Sequence, residues 1–409
     1  MALLKGSFFA LTSSLVLLVH STGALPVGTS KHLWERFGNR VYGAAGNGRV
    51  RDAKTKAYFA EDSTNVTTHF FERALLDHYA PSASQRSAFW KQRFYVDTSF
   101  WCGEGCPIFL YIGGEGPQGP PSKGLFMADL AQRHGALMIA LEHRFYGESR
   151  PTKDMSPSNL RYLTSSQALA DLARFREYIN DWVSGDDASS PPLKLPASPR
   201  NAQWITFGGS YPGDLAAWFK LKFPSLTVGS VSSSAPVFAL DDFEQYAGVV
   251  GAALNYKLIG GSDACYSAVE TAINVLRAAI DAGEDIVQGL KPCGSIEAVE
   301  DLATYFSSIF GNFQGAVQYN RASSPNSVEH ICSAMTNETI GSEIERLAAV
   351  TQGFSEGCVA SSFQNDTLIP LSNVTFSASD CDLNCASMRQ WIWQSCKFYL
   401  SSNFYLIQY

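Results

Sequence analysis

Charge is scarce in this 409-residue sequence: 17% of its residues are Asp, Glu, Lys or Arg, and 31 basic residues face 38 acidic ones. The net charge of -7 leaves no basic footprint for neutralising phosphates, which argues against a nucleic-acid partner. Beyond residue 24 there is no apolar run approaching the roughly 20 residues of a membrane-spanning helix. Histidine is sparse, seven in all. Cys381 and Cys385 have zinc-ligand spacing but lack the second pair or adjacent histidines of a tetrahedral site, so neither a metal nor a cofactor is expected. No internal repeat is present. What the sequence does have is 45% hydrophobic and 12% aromatic residues, enough for a large core and incompatible with general disorder.

The first 24 residues carry the parts of a secretory signal: Lys5, an apolar run from Phe8 to Val19, and small residues before a cut after Ala24. A retained membrane anchor is the alternative, and the run is short for it. Asn65, Asn337, Asn365 and Asn373 each begin an N-x-Ser/Thr sequon, acceptors that matter only in the secretory pathway. The nine cysteines fall as a local pair, Cys102 and Cys106, and a cluster of seven from Cys265 to Cys396, which reads as disulfide-tied segments in a secreted or endosomal/lysosomal protein.

Short apolar runs alternate with helical periodicity. Strands are expected at Phe89–Trp101, Pro107–Ile112, Ala136–Leu141, Gln203–Phe207 and Val228–Val231. Thr164 and Gln167 have capping-box spacing before a helix bearing Leu169, Leu172, Phe175, Ile179 and Trp182. Ser184–Arg200, with four prolines, reads as a surface excursion. This order implies a mostly parallel α/β sheet covered on both faces. After Leu240 only helical patterns recur. The expected organisation is a signal at 1–24, an α/β core at 25–240, a helical, disulfide-tied cap at 241–396 and an atypical tail at 397–409.

The chemistry centres on Ser210. A serine hydroxyl is a poor nucleophile unless a base removes its proton and donors hold the oxyanion. Gly208-Gly209-Ser210 lies between an apolar strand and a helix, the context of a nucleophile elbow. Pro212 stands where that motif usually has glycine, which comes one later at Gly213. An incidental serine in a glycine-rich turn is the competing reading. The glycine loop at Gly113–Gly116 ends the strand that would precede an oxyanion loop, so the N–H groups of Gly114 and Tyr211 are the candidate donors.

Six runs, in order, carry a resemblance: Tyr111–Pro117 (YIGGEGP), Glu142–Ser149 (EHRFYGES), Asn159–Leu172, Gly208–Gly213 (GGSYPG), Ser233–Pro236 (SSAP) and Trp391–Cys396 (WIWQSC). They resemble the serine carboxypeptidase family of lysosomal Pro-Xaa carboxypeptidase, dipeptidyl peptidase II and thymus-specific serine protease, the last most of all. The resemblance implies an α/β-hydrolase core with a helical cap, Ser210 as nucleophile, and peptide substrates trimmed at an end, often next to proline. Glu115 matches a family position near the peptide's terminal group; a carboxylate that only organises its loop is the equal alternative.

In this fold the base and its orienting carboxylate follow the serine, and the resemblance puts both beyond the Trp391–Cys396 motif. After Ser210 the sequence has one histidine, His330, in the cysteine-rich helical region, where a surface role is expected. His143 precedes the serine and fits a structural role. Asp214, in the first turn after Ser210, reads as ordinary helix-dipole chemistry. The expectation is therefore a shortened serine exopeptidase without a complete triad. A secreted non-catalytic peptide-binding relative and an esterase on the same fold are the alternatives, and a homodimer is left open.

Overall fold

The computed structural model describes residues 65–82, 88–184, 202–238, 244–321, 324–354, 357–376 and 385–400. The signal at 1–24, most of the proline-rich excursion, Cys381 and residues 401–409 lie outside these. The described residues fall into two compact units, one ending at Asp241 and resuming at Asn373, the other covering Asp242–Ser372.

The first unit is built on a six-stranded sheet: β1 (Val66–Leu75), β2 (Phe89–Asp97), β3 (Ile108–Ile112), β4 (Leu137–Leu141), β5 (Trp204–Gly209) and β6 (Gly229–Ser233), in the order β1-β2-β4-β3-β5-β6. β2 runs antiparallel to both β1 and β4, and the remaining pairings are parallel. All five side chains of β4 are buried, which is why that segment reads as an unbroken apolar run rather than an alternating one. Helix α1 (Phe126–His134) crosses from β3 to β4, α2 (Ser165–Ser184) from β4 to β5, and α3 (Tyr211–Lys222) from β5 to β6.

Period-two alternation sends β3 side chains to two cores. Phe109 packs with Met127, Ala131 and Phe207 on the α1 side, while Ile108 and Leu110 join Leu172, Phe175 and Leu215 on the α2/α3 side. Phe94 and Phe175 meet edge to face at 5.0 Å. Each buried phenylalanine contributes roughly 2–3 kcal/mol of transfer free energy. A mixed sheet in this order, covered on both faces by its crossover helices, is an α/β-hydrolase core.

The expected strands form within a few residues of their expected limits, and β1 is an addition. Its polar Thr67, Thr68 and His69 and a register shift between Phe71 and Ala74 blur its alternation, so β2 decides its conformation more than its own pattern does. The capping box of α2 is half made. Thr164 Oγ1 accepts the Gln167 N–H at 3.2 Å, but the Gln167 side chain turns away to Asp77 and the His78 N–H.

The second unit is helical: α4 (Gln245–Asn255), α5 (Asp263–Ala282), α6 (Val299–Gln318), α7 (Val328–Met335) and α8 (Glu343–Phe354) enclose a core with Tyr305, Ile309, Ile331 and Leu347 at its centre. Ser262 caps α5 by accepting the Cys265 N–H at 3.1 Å. Disulfides Cys265–Cys332 and Cys293–Cys358 close this unit, and Cys102–Cys106 closes a short loop in the sheet unit.

The helical region ends at Ser372, earlier than the expected Cys396. Helix α9 (Cys385–Leu400) belongs with the sheet. There Gln390 Nε2 donates to the Phe145 carbonyl at 3.2 Å, Tyr146 hydrogen-bonds Gln394, and Trp391 packs on Tyr211 with ring centroids 6.5 Å apart. Side chains of α9 thus reach the loop after β4 and the start of α3 within the sheet unit.

Candidate active site

Ser210 occupies the one-residue corner between β5 and α3, with φ 60° and ψ -135°. Such a conformation costs a non-glycine residue about 1–3 kcal/mol and persists only where its surroundings enforce it. Here the Ser210 N–H donates to Ser233 O at 3.0 Å, and its carbonyl accepts from Gly213 at 2.8 Å and Asp214 at 3.2 Å. A Cβ on Gly208 would lie 2.0 Å from Pro212 O, and one on Gly213 would lie 2.9 Å from both Ser233 O and Ala235 Cβ. The corner is tight enough that both positions need glycine.

The proline at position 212 also has a packing reason. A Cβ on Gly114 would sit 2.6 Å from Pro212 Cγ, so the ring fills the space that the glycine loop leaves and brings that loop against the start of α3. The Tyr211 N–H occupies the first helical position and has no intrahelical acceptor. Gly114 and Tyr211, the two expected oxyanion donors, thus lie on segments in direct contact beside Ser210.

The EHRFYGES run holds this arrangement from behind. Glu142, fully buried at the end of β4, accepts from Arg93 Nη2 at 2.5 Å, Gln118 N at 3.0 Å, Glu148 N at 3.0 Å and Ser149 Oγ at 2.7 Å. It ties the loop after Gly114 to the turn at Gly147, where a Cβ would strike its carboxylate at 2.0 Å. His143 is not a base for Ser210. Its Nδ1 lies 2.7 Å from Arg144 O and its Nε2 3.1 Å from Tyr211 Oη, and burial pushes its pKa down to about 4. His330 is exposed on α7. Among the described residues, Ser210 Oγ has no imidazole partner.

The sequence reading missed the state of Asp214. It is not a solvated carboxylate at a helix N-terminus: it is 2% exposed, and its Oδ1 has no hydrogen-bond partner. Burial, and then the charge of Glu115, pushes its pKa up to about 8, and burial raises Glu115 to about 7. No signal in the sequence distinguishes this buried first turn from an exposed one.

Because folding raises the pKa of Asp214, the protonated group favours the folded state. That contribution is complete below about pH 4 and is lost as pH rises toward 8. Asp214→Asn cannot ionise, so its stability advantage over the unaltered protein is expected to grow by on the order of 3 kcal/mol between pH 5 and pH 8. Urea midpoints measured across that range check this. An advantage independent of pH would show that Asp214 titrates normally.

Asn65, Asn337, Asn365 and Asn373 are all exposed. In two of the sequons the threonine already engages the asparagine, Thr339 on Asn337 Oδ1 and Thr375 on Asn373 Oδ1. Among the described residues no cluster of His, Cys, Asp and Glu could hold a metal, and no helix is long and apolar enough to cross a membrane.

Comparison with known proteins agrees with this geometry. The sequence model of the Serine carboxypeptidase S28 family matches residues 74–403. The thymus-specific serine protease of Mus musculus is 36% identical over 77% of this chain and 61% of its own length, and that of Homo sapiens 35% identical over 79% and 61%. The lysosomal Pro-X carboxypeptidase of Bos taurus is 38% identical over 37% of this chain and 29% of its own. The chain therefore spans about three fifths of the length of its thymus-specific relatives. With the Ser210 corner, the Gly114 loop and the Glu142 scaffold all inside the matched region, the chain belongs to the serine carboxypeptidase S28 family.

Proposed function

We propose that this chain carries the nucleophile half of a serine exopeptidase site and is catalytically silent as a 409-residue polypeptide. The strained corner at Ser210, packed against the Gly114 loop, carries the reading. In the complete reaction Ser210 Oγ attacks a peptide carbonyl, and the Tyr211 and Gly114 N–H groups take the developing oxyanion. A histidine accepts the serine proton and passes it to the leaving amine. That histidine and its carboxylate belong, in this reading, to sequence that follows α9 in a longer form. The outer edge of β6, unpaired among the described residues, would receive the strands that bring them.

The proposed setting is the secretory or endolysosomal lumen. Four exposed sequons, three disulfides and two carboxyls whose neutral forms the fold prefers support an oxidising and acidic environment. A non-catalytic peptide-binding relative is the second reading, favoured by the single exposed histidine after Ser210.

The test compares the 409-residue protein with a form whose sequence past Cys396 is read from the transcript or genomic frame. The extended form is expected to release residues from the ends of proline-containing peptides, and its Ser210→Ala variant to fall by about 10³-fold or more. Hydrolysis of simple esters alone would make the protein an esterase. A transcript without a frame supplying Asp and His would defeat the catalytic reading in favour of peptide binding.

A further inference from the structure

The backbone N–H of Tyr211 has a part in the proposed chemistry, whereas its side chain points into the protein. There Tyr211 Oη lies 3.1 Å from His143 Nε2, and the two rings meet edge to face with centroids 5.5 Å apart. Tyr211 is 5% exposed and His143 4%.

The direction of this hydrogen bond follows from the other side of the imidazole. Nδ1 lies 2.7 Å from the Arg144 carbonyl, which only accepts, so Nδ1 carries the proton. In the neutral ring Nε2 is then bare and accepts from the Tyr211 hydroxyl. The residue whose carbonyl sets this tautomer is well anchored, because the Arg144 guanidinium is fully buried on Asp171. Burial keeps the ring neutral by lowering its pKa to about 4, and the charges that face it, Asp171 and Arg144, act in opposite directions. An imidazole with an ordinary pKa would gain a second N–H in an acidic medium and lose its acceptor.

Trp391 of α9 packs on the same phenol at 6.5 Å, and α9 is fixed in turn by Gln390 donating to the Phe145 carbonyl and Gln394 accepting from the Tyr146 hydroxyl. The Tyr211 ring therefore has the loop after β4 and α9 as neighbours. The Gly213 and Asp214 N–H bonds to the Ser210 carbonyl fix how the Ser210–Tyr211 peptide sits on α3. They do not fix where the start of α3 sits in the unit, and the Tyr211 side chain helps to do so.

We propose that His143 is a positioning residue: as a bare-Nε2 acceptor for the Tyr211 hydroxyl it fixes the first residue of α3, and with it the N–H that takes the oxyanion. The inference rests on the reading of Ser210 as the nucleophile and adds to that site a support from outside the triad.

Nitrogen NMR of the 409-residue protein carrying nitrogen-labelled histidine and tyrosine tests this without catalysis. One imidazole is expected with a protonated Nδ1 and a bare Nε2, still neutral at pH 5, and its signals are identified by their loss in His143→Gln. The Tyr211 amide peak, identified by its absence in Tyr211→Phe, should move or broaden in His143→Phe, whose ring has no acceptor. It should return toward its original position in His143→Gln, whose amide oxygen can accept. A space-filling imidazole predicts the reverse order, because phenylalanine keeps a ring and glutamine does not; that order, or equal displacement in both, would overturn the proposal. An Nε2 that carries a proton in the unaltered protein would overturn it even if neither variant folds. In a form whose sequence past Cys396 supplies an Asp and a His, His143→Phe should lower kcat about 10-fold at unchanged KM, since the oxyanion donor acts on the transition state. A change in KM alone would overturn the positioning role. Absence of peptide cleavage by that form would overturn the Ser210 reading, while the nitrogen spectra still decide on the Tyr211–His143 bond.

Discussion

Arg144→Met is expected to cost about 3–5 kcal/mol and to unfold the sheet unit at temperatures where the unaltered protein is folded. Arg144 is fully buried, and its guanidinium donates to five acceptors. Nε and Nη2 reach the two oxygens of Asp171 at 2.6 Å each, Nη1 reaches Leu76 O at 3.1 Å and Tyr162 O at 2.9 Å, and Nη2 reaches Leu75 O at 3.1 Å. Three structural elements meet at this one side chain: the end of β1, the turn before α2, and α2 itself.

Burial works against the charge on Asp171, but Arg144 and His78 together hold its pKa below the usual carboxylate range. Methionine preserves most of the volume and removes every donor, leaving that carboxylate with His78 alone and taking the guanidinium from three carbonyls, of which Leu75 O keeps the Trp90 Nε1–H at 3.0 Å. The double variant Arg144→Met/Asp171→Leu removes the orphaned charge as well and should recover a large part of the loss. Urea unfolding followed by tryptophan fluorescence reads both. If the single variant loses less than about 1 kcal/mol, the buried pair is not what anchors β1 to α2.

Much of this was legible before the structure. The parallel strands β3, β4 and β5 announced themselves because strands buried on both faces, or ending in a tight glycine corner, leave little freedom of composition. Gly208, Gly213 and Gly114 were legible as a constellation, though the reason for Pro212 was not: it takes the Gly114 loop, nearly 100 residues earlier, to explain the ring. The EHRFYGES run was recognisable as a motif but not as a scaffold. Nothing in the string says that Glu142 faces Gln118 and Ser149 while Arg144 turns to α2.

Three features stayed hidden for physical reasons. β1 is half exposed and bulged, so its pairing with β2 overrides a weak local pattern. Asp214 obeys the composition rule for a helix N-terminus, and only burial by neighbouring segments turns it from a favourable charge into an unsatisfied one. The Trp391 helix is amphipathic and could have served either unit; the amides Gln390 and Gln394, reaching Phe145 and Tyr146, decide for the sheet.

We propose Ser210 as a positioned nucleophile that has no imidazole partner among the described residues. The geometry argues that position and activation are separable here. The backbone at φ 60°, the Gly114 contact and the first N–H of α3 are in place, while the imidazole of His143 is committed to Tyr211 and held neutral by burial. Without a base, a serine hydroxyl loses on the order of 10³-fold or more in reactivity.

The most direct measurement is labelling with a fluorophosphonate serine probe, followed by peptide mapping of the modified residue. The 409-residue protein should show little or no label at Ser210, and a form whose sequence past Cys396 supplies an Asp and a His should be labelled there rapidly, with Ser210→Ala abolishing it. Strong Ser210-dependent labelling of the 409-residue protein would contradict that proposal, because none of the imidazoles among the described residues partners Ser210 Oγ.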